Sequence, residues 1–421
     1  MISNLYRLLT DLGAPFIGVY LRRRRAAGRE DAERFDERFG HPSRPRPAGR
    51  LIWCHGASVG EAMSLLLLIE KLHDVYPDIS VLLTTGTVTA ARMMSARLPP
   101  YAVHQYVPID RAPCVARFLA HWKPTLAIRI ESELWPNTLA GLRDRSISTV
   151  LLNARMSEKS FRNWHRVKGF AREVMSSFSL CLAQTENDLG RFVALGASPV
   201  KCLGNLKYAS APLPCDAGEL ARLQAQIANR PVWLMASTHR GEEEMAITAH
   251  RAVAVTQRGL LTVIAPRHAV RGEEVAQLLA ASGLNFARRS KGEVIGADTQ
   301  IYLADTMGEL GLFYRLCPVV VLGGSFVWGG HNPIEAAQLG AAIIFGPRMQ
   351  NFSEIAREFN FVQAAMPLQH ANEMGFAIDH LLAHPDERER RAQAARLLAD
   401  QKRYILDQII AEMDPWLKGR T

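Results

Sequence analysis

The sequence predicts an α/β protein built from two doubly wound parallel sheets. Short apolar runs alternate with helical patterns on both sides of a proline-containing break at residues 205–216, and this alternation indicates crossover units. The 421 residues are 48% hydrophobic and 22% charged, which excludes a disordered chain and allows two sizeable cores. We therefore expect two halves joined by a hinge. A ligand is expected in the cleft between them, at the carboxyl ends of the strands.

Charge and cysteine content restrict the class of protein. The 50 Lys and Arg exceed the 41 Asp and Glu, which gives a formal net charge of +9. This excess admits nucleic acid, anionic lipid or a phosphorylated substrate as a partner. The six cysteines are widely spaced and form no Cys-x-x-Cys pair. We therefore expect neither a disulfide scaffold nor a structural zinc site, and a reducing cytosol is the expected compartment.

The first 25 residues have the pattern of an amphipathic helix at a membrane surface. Apolar residues recur near helical spacing at Leu5, Leu8, Leu9, Leu12, Phe16, Val19 and Tyr20. Arg7 and Asp11 interrupt the stretch, so it is too polar to span a bilayer, and Arg22–Arg25 would lie on anionic headgroups. The alternative is a helix docked on its own domain. The charged and proline-rich residues 28–49 are expected to form a linker.

Strands of the first half are predicted from apolar runs at Leu51–Cys54, Ser80–Thr84, Gln105–Pro108, Leu126–Ile130, Thr149–Leu152, Leu180–Ala183 and Lys201–Leu203. Helical patterns between them include Gly60–Leu72, Val88–Arg97 and Asn187–Leu195. Strands of the second half are predicted at Val232–Ala236, Leu261–Ala265, Ile301–Leu303, Val319–Leu322 and Ile343–Phe345.

The first strand leads into the turn HGASVGE at 55–61 and then into a helix. Backbone amides at the helix start are able to hold an anion near Ser58 and Gly60, and Glu61 lies in the first turn. Glu61 alternatively only complements the helix dipole. The same turn matches Gly-x-Ser-x-Gly, the pattern of a hydrolase nucleophile elbow with Ser58 as nucleophile.

Two carboxylates follow the apolar run at 126–130, in the segment ESELWPN. Glu131 and Glu133 would point to one side if the strand continued, and paired carboxylates push one pKa upward, as an acid or base requires. Alternatively, Glu133 caps the following helix and Glu131 is solvated.

Polar clusters follow two strands of the second half. Ser237 and His239 lie in ASTHRGEEE, and Arg267 and His268 lie in APRHAVRGEE. Arginine binds phosphate or carboxylate through a planar fork, and histidine donates to anionic oxygens. Two clusters on successive strands favour a shared anion site over purely structural histidines.

The glycine-rich segment GGSFVWGGHNPIE at 323–335 predicts a strand–loop–helix unit. Its glycines let the backbone approach a ligand, the helix start would face a phosphate, and Glu335 would accept hydrogen bonds from a ribose. A purely structural turn is the alternative. The segment matches neither the P-loop nor the dinucleotide fingerprint. The chain contains no Asp-x-Asp and no His-Glu-x-x-His, so no dedicated divalent-metal site is expected.

The order of these segments resembles one enzyme family. The matching stretches are ERFG at 37–40, HGASVGE at 55–61, ESELWPN at 131–137, NARMSEKS at 153–160, QTENDLGRFVALGA at 184–197, GNLKY at 204–208, ASTHRGEE at 236–243, APRH at 265–268, DTMGEL at 305–310 and GGSFVWGGHNPIEAAQLG at 323–340. Together they look like the 3-deoxy-D-manno-octulosonic acid (Kdo) transferases of lipopolysaccharide synthesis, which have the GT-B fold of two Rossmann-like domains.

The resemblance implies transfer of Kdo from CMP-Kdo to a lipid A precursor, lipid IVA. The reaction would invert the anomeric centre without metal or cofactor, at the cytoplasmic face of the bacterial inner membrane, with no nucleic acid as partner. Glu61 matches the general base, and Ser58 and Gly60 lie on the acceptor side. Glu131 and Glu133 match residues needed near the acceptor, and the choice between them stays open. The nucleotide-sugar side would comprise Ser237, His239, Arg267, His268, Gly324, Ser325, Gly330, Asn332 and Glu335.

The implied domains are a membrane-surface helix and linker at 1–49, an acceptor-binding domain at 50–207 and a nucleotide-sugar-binding domain at 208–421. The last helix is a candidate to cross back to the acceptor-binding domain. Two other classes remain open from the residues: a serine hydrolase using Ser58, and a catalytically silent GT-B protein that only binds lipid or nucleotide.

Overall fold

The computed structural model describes residues 2–209 and 211–418, which divide into two compact units. The first unit contains the described residues up to 209 and those from 404 onward, and the second contains 211–403. Each unit has one seven-stranded sheet. The recorded strand pairs are parallel in both sheets, which confirms the predicted α/β class.

The first sheet has the strand order β3-β2-β1-β4-β5-β6-β7. Its strands are β1 (Arg50–His55), β2 (Ile79–Thr85), β3 (Ala102–Tyr106), β4 (Leu126–Ile130), β5 (Ser148–Ala154), β6 (Leu180–Ala183) and β7 (Val200–Cys202). The helices before and between them are α1 (Ile2–Leu12), α2 (Ala14–Ala26), α3 (Val59–Val75), α4 (Val88–Ser95), α5 (Ala112–Trp122), α6 (Pro136–Arg143), α7 (Glu158–Arg166), α8 (Lys168–Met175) and α9 (Glu186–Ala194).

The central strand β1 is buried on both faces, which explains its unbroken apolar run. Ile52 and Cys54 belong to one apolar cluster, whereas Leu51 and Trp53 belong to another. Because parallel sheets are covered by helices on both sides, their inner strands lack polar alternation. The strand predictions rest on this property.

The second sheet has the order β10-β11-β9-β8-β12-β13-β14. Its strands are β8 (Val232–Thr238), β9 (Leu261–Pro266), β10 (Phe286–Arg288), β11 (Ile301–Leu303), β12 (Val319–Leu322), β13 (Ala342–Phe345) and β14 (Ala365–Pro367). The helices are α10 (Ala217–Ile227), α11 (Glu242–Val253), α12 (Gly272–Ser282), α13 (Leu310–Leu316), α14 (Pro333–Gln338), α15 (Ser353–Phe361), α16 (Met374–Ala383) and α17 (Pro385–Lys402).

The last helix, α18 (Ile405–Leu417), belongs to the first unit. Its buried side chains Ile405, Ile409 and Met413 join the same apolar cluster as β1. Lys201 Nζ donates to Glu412 Oε1 at 2.8 Å on the surface of this contact.

Residues 28–49, expected to form a linker, instead pack on the first unit. A short 3₁₀ helix at Phe35–Phe39 buries Phe35 and Glu37. The Glu37 carboxylate accepts the Tyr106 backbone N–H at 2.6 Å and the Arg34 Nε–H at 2.9 Å. Charged residues of this segment therefore form buried hydrogen bonds and ion pairs, whereas a linker would expose them to solvent.

The N-terminal pattern forms two helices, α1 and α2, where one was expected. They meet at Gly13, and Pro15 occupies the first turn of α2. Leu5, Leu8, Leu9, Leu12 and Phe16 all have exposed side chains. No helix among the described residues has both the length and the apolar character needed to cross a bilayer.

Each strand order reverses at one point: between β1 and β4 in the first sheet, and between β8 and β12 in the second. Ligands of doubly wound sheets bind outside the carboxyl ends of strands at such points. The loops after these four strands are therefore where each unit is expected to bind ligands.

Candidate active site

The loop after β1 fixes the Glu61 carboxylate at the start of α3. Glu61 Oε1 accepts the Ser58 hydroxyl at 2.8 Å, and Oε2 accepts the Ala57 N–H at 2.7 Å. Ser58 also caps α3 by accepting the Glu61 N–H at 3.3 Å. A Cβ at Gly56 would lie 3.1 Å from Glu61 Cβ, so glycine leaves room for this carboxylate. Ser58 and Gly60 are exposed beside it.

Glu131 ends the neighbouring strand β4 in a left-handed conformation, with φ of 61°. This conformation is uncommon for a residue with a side chain and is concentrated at functional sites. Burial raises the pKa of Glu131, and the nearby Glu61 charge raises it further. Glu131 and Glu61 thus lie close together, although 70 residues separate them in sequence.

Glu133 has different partners, since the chain turns away after β4 instead of continuing as a strand. Its Oε2 accepts from His55 Nε2 at 3.2 Å and from the Trp135 indole, and it lies 3.8 Å from Arg129 Nη2. Burial alone would raise the pKa of Glu133, but these hydrogen bonds and charges bring it down to about 2. The Glu133 carboxylate is therefore occupied by His55, Trp135 and Arg129. Glu131 is the carboxylate that lies near Glu61.

Both ring nitrogens of His55 have hydrogen-bond partners. Burial lowers the pKa of His55, which keeps the ring neutral. The Trp53 indole donates to Thr84 Oγ1 at 2.8 Å, and Thr84 Oγ1 lies 2.9 Å from His55 Nδ1. His55 Nδ1 also lies 3.2 Å from the Thr84 carbonyl oxygen, and Nε2 lies 3.2 Å from Glu133 Oε2. The ring cannot serve Ser58 as a base while it holds these partners.

Lys207 is a cation in this region to which the sequence analysis gave no role. It follows β7 in the segment GNLKY and is half-buried. Burial lowers the pKa of its ammonium, and the Glu131 and Glu61 charges oppose that change. The Lys207 charge in turn lowers the pKa of Glu131, so the ammonium offsets part of the repulsion between the two carboxylates. The signal in the sequence was a lysine between Leu206 and Tyr208 in that motif.

In the second unit, Glu242 joins the loops after β8 and β12. Its fully buried carboxylate accepts N–H groups from His239 at 2.9 Å, Gly324 at 2.7 Å and Phe326 at 3.2 Å. Ser237 has φ of 59°, and a Cβ at Gly323 would lie 2.5 Å from its carbonyl oxygen. The two loops are therefore held in close contact.

His239 lies at the centre of an aromatic group at this sheet edge. His239 Nε2 is 2.9 Å from His331 Nε2, and the two ring planes differ by 6°. The exposed Trp328 ring is also nearly parallel to His239, at a centroid separation of 5.7 Å. His268 lies at 6.4 Å, measured between ring centroids. Burial and the Arg267 charge lower the pKa of His331 to about 4.

Arg267, Asn332 and Glu335 complete this cluster. Asn332 caps α14 by accepting the Ile334 N–H at 3.1 Å, and its amide lies 3.3 Å from Glu335 Oε1. Burial raises the pKa of Glu335, whereas Asn332 and the Arg267 charge lower it. The exposed Arg267 is thus near His331 and Glu335.

One of the predicted nucleotide-sugar residues, Ser325, points elsewhere. Ser325 is fully buried; its hydroxyl donates to the Leu322 carbonyl and accepts the Gly346 N–H at 2.8 Å. Ser325 therefore joins the ends of β12 and β13 and presents no hydroxyl to a ligand. Ser237 is likewise buried, while Gly324 and Gly330 have positive φ values of 67° and 81° in the adjoining loop.

No group of three or more His, Cys, Asp or Glu side chains in the described ranges has an arrangement that would hold a metal ion. The loops at the switch point of the second unit instead bring together His239, His331 and Arg267. The first unit adds the paired Glu61 and Glu131.

Comparison with known proteins assigns the family. Residues 33–210 match the family model described as 3-deoxy-D-manno-octulosonic-acid transferase (kdotransferase). The 3-deoxy-D-manno-octulosonic acid transferase of Rickettsia bellii is 35% identical over 98% of this chain and 100% of its own length. The chain belongs to the Kdo transferase family. The Haemophilus influenzae transferase is 34% identical over 90% of each chain.

The fold of this Kdo transferase recurs in distantly related solved structures. A glycosyltransferase from Rickettsia africae aligns with a TM-score of 0.59 at 11% identity, covering 89% of this chain and all of that one. The UDP-GlcNAc 2-epimerase of Neisseria meningitidis aligns with a TM-score of 0.58 at 11% identity, over 86% and 100% of the two chains. These likenesses confirm the expected GT-B fold. Membership of the Kdo transferase family makes this chain a glycosyltransferase.

Proposed function

We propose that this Kdo transferase moves Kdo from CMP-Kdo to the lipid A precursor lipid IVA, with inversion and with Glu61 as general base. The observation that carries the proposal is the Glu61 carboxylate at the β1 switch point, fixed by Ser58 and Ala57. A general base must be held within hydrogen-bond reach of the hydroxyl that it deprotonates. Such a base contributes about 10²- to 10⁴-fold to the rate.

The chemistry is a single displacement at the anomeric carbon of Kdo. The acceptor hydroxyl oxygen forms the new bond to that carbon as the bond from the carbon to the CMP phosphate oxygen breaks. The hydroxyl proton passes to Glu61, and the bonding electrons leave with CMP. Glu131 and Lys207 border this carboxylate, and we assign them to the positioning of the acceptor and of anionic groups.

The donor is assigned to the second unit because its cluster suits a phosphate ester. Arg267 has a fixed charge, and His239, His268 and Asn332 supply donors. Stabilising a departing phosphate with such groups performs the task that a metal ion performs in other transferases. Glu335, half-buried near Arg267, would accept hydroxyl hydrogen bonds from the ribose.

The membrane surface is assigned from α1 and α2. Their exposed apolar side chains are adjacent to the exposed cations Arg22, Arg23 and Arg25. An apolar face with a basic end binds an anionic interface without spanning it. We place this protein as a peripheral or monotopic enzyme at the cytoplasmic face of the inner membrane.

Product analysis tests the assignment. The full chain is incubated with CMP-Kdo and lipid IVA in detergent, and the lipid is examined by mass spectrometry. The expected product is lipid IVA heavier by a whole number of Kdo residues, with matching release of CMP. Release of free Kdo without a lipid product, or binding of CMP-Kdo without turnover, would contradict the proposal.

A further inference from the structure

A mainly apolar pocket of about 420 Å³ lies in the first unit between the N-terminal helix pair, α1 and α2, and the loops that carry the proposed acceptor site. The helix pair contributes Tyr6, Ile17 and Leu21, and the loops contribute Val107 and Ile109. The volume falls within the range of about 300–1,000 Å³ that is usual for sites of small organic ligands. Helices α1 and α2 thus form one wall of a cavity.

Specific hydrogen bonds attach this wall to the site. The Tyr6 hydroxyl donates to Asp110 Oδ2 at 3.0 Å, and Asn137 Nδ2 donates to Thr10 Oγ1 at 3.0 Å. Asp110 Oδ1 in turn accepts the Thr138 N–H at 2.7 Å at the start of α6. The polar side of α1 is therefore docked, which leaves its leucines exposed.

One end of the pocket reaches the proposed base. Ala57 lines the pocket, and its N–H is the group that holds Glu61 Oε2 at 2.7 Å. His55 and Glu133 also line this end. A ligand lying in the pocket would have its polar end beside the acceptor hydroxyl site.

The other end adjoins the exposed apolar surface of α1 and α2. Tyr20 lines the pocket and is 60% exposed, whereas the next residue, Leu21, is 3% exposed. Phe16, on the same helix, is also exposed. Neighbouring residues of α2 thus belong to the pocket wall and to the exposed face.

Charged groups of both signs line the pocket: Arg38 and Arg111, and Asp110 and Glu133. Arg111 Nη2 donates to Asp11 Oδ1 at 3.2 Å. The buried Nε–H of Arg111 has no hydrogen-bond partner among the described residues. A buried donor without a partner is costly, and an ester or amide carbonyl of a ligand would satisfy it.

We propose that this pocket holds one acyl chain of the lipid acceptor, with the carbonyl of that chain near Arg111. The proposal rests on the proposed function for the identity of the acceptor. The N-terminal helix pair would then form part of the acceptor site. A helix pair that only anchored the protein to the membrane surface would not. Apolar contact along the chain would favour acylated over acyl-free acceptors.

The test pairs photo-crosslinking with a pocket-filling variant of the full chain. Lipid IVA that carries a diazirine in an acyl chain is bound in detergent without donor, irradiated, and mapped by peptide mass spectrometry. Ile17→Trp fills the pocket from α2. Val19→Trp, two residues away with its side chain exposed, is the matched control. Helical circular dichroism and thermal unfolding check both variants.

We expect crosslinks to the peptides that contain Ile17, Val107 or Ile109, and their loss in Ile17→Trp but not in Val19→Trp. The KM for lipid IVA should rise about tenfold in Ile17→Trp, with the KM for CMP-Kdo unchanged. Crosslinks confined to Leu8, Leu9 and Leu12, or equal KM values in both variants, would overturn the pocket assignment. Crosslinking is measured without donor and does not depend on transfer. A wild-type protein that crosslinks but transfers no Kdo would therefore contradict the proposed function and leave the pocket assignment intact.

Discussion

Ser58 Oγ donates a 2.8 Å hydrogen bond to Glu61 Oε1, and the Glu61 backbone N–H donates to Ser58 Oγ at 3.3 Å. The hydroxyl of the Gly-x-Ser-x-Gly match is thus directed at a carboxylate. The neighbouring His55 is directed at Thr84 and Glu133. The arrangement suits a serine that positions a general base, and it lacks the serine–histidine contact of a hydrolase.

Exchanging Glu133 for glutamine should destabilise the protein, whereas exchanging Glu131 should not. Glu133→Gln leaves the buried Arg129 and His55 without their carboxylate, which costs about 2–3 kcal/mol. Glu131 has a raised pKa, so its charge at pH 7 is less favourable in the folded than in the unfolded chain. Glu131→Gln should therefore leave the free energy of unfolding unchanged or slightly higher. Urea unfolding at pH 7 measures both, and equal destabilisation would contradict the assignment.

Glu242→Gln should weaken CMP binding although Glu242 is not itself placed at the ligand. The glutamine amide nitrogen cannot accept the N–H groups that Glu242 holds on the loops after β8 and β12. We expect the Kd for CMP to rise about tenfold with the helical content retained. Glu244→Gln, at an exposed position on the same helix, is the control. An unchanged Kd in Glu242→Gln, measured by calorimetry, would refute this role.

The His239–His331 pair predicts an unusual histidine titration. A 2.9 Å contact between two Nε2 atoms requires that one donates and the other accepts, so both cannot be protonated at Nε2. His331, with its pKa lowered to about 4, should remain neutral through pH 6 in NMR spectra. The unfolded chain binds this proton near pH 6.5, so stability is present above that pH and falls as the pH drops towards 4. A His331 titration near pH 6.5 would contradict the pair.

The arginines after α2 should control attachment to anionic vesicles. Arg24 pairs with the buried Glu30 at 2.7 Å, so the test exchanges the exposed Arg22 and Arg23 for glutamine. At about 1 kcal/mol per cation, binding should weaken roughly 30-fold at low salt, and less at high salt. Arg258→Gln/Lys291→Gln, two exposed cations of the second unit, is the charge-matched control. Equal co-sedimentation of the two double variants would argue against this surface.

The sequence predicted most strands because the inner strands of both sheets are continuous apolar runs. It missed Phe286–Arg288 and Ala365–Pro367, which are three-residue edge strands with polar or proline residues. Edge strands lack one neighbour and tolerate such residues. A charged composition also hid the packing of residues 28–49, since their partners are distant in sequence.

The sequence motifs predicted which loops form the candidate site. They were less successful at predicting what each side chain contacts. Glu61 and the strand-end clusters follow from local patterns. The separation of Glu131 from Glu133 depends on a left-handed residue after β4, which no local pattern indicated. Glu242 is one of three consecutive glutamates at the start of α11, and no local pattern distinguishes it from the other two. Ser325 was predicted as a ligand contact, although its hydroxyl joins two strands.

Glu61→Gln, measured beside Ser58→Ala, tests the central claim most directly. The variant keeps the size and hydrogen bonding of residue 61 but removes its basicity. We predict a fall in kcat of at least about 10²-fold for Glu61→Gln with CMP-Kdo affinity retained. Ser58→Ala, which loses one partner of the carboxylate, should keep most of the transfer. Near-normal transfer by Glu61→Gln, or fluorophosphonate labelling that Ser58→Ala abolishes, would contradict the account.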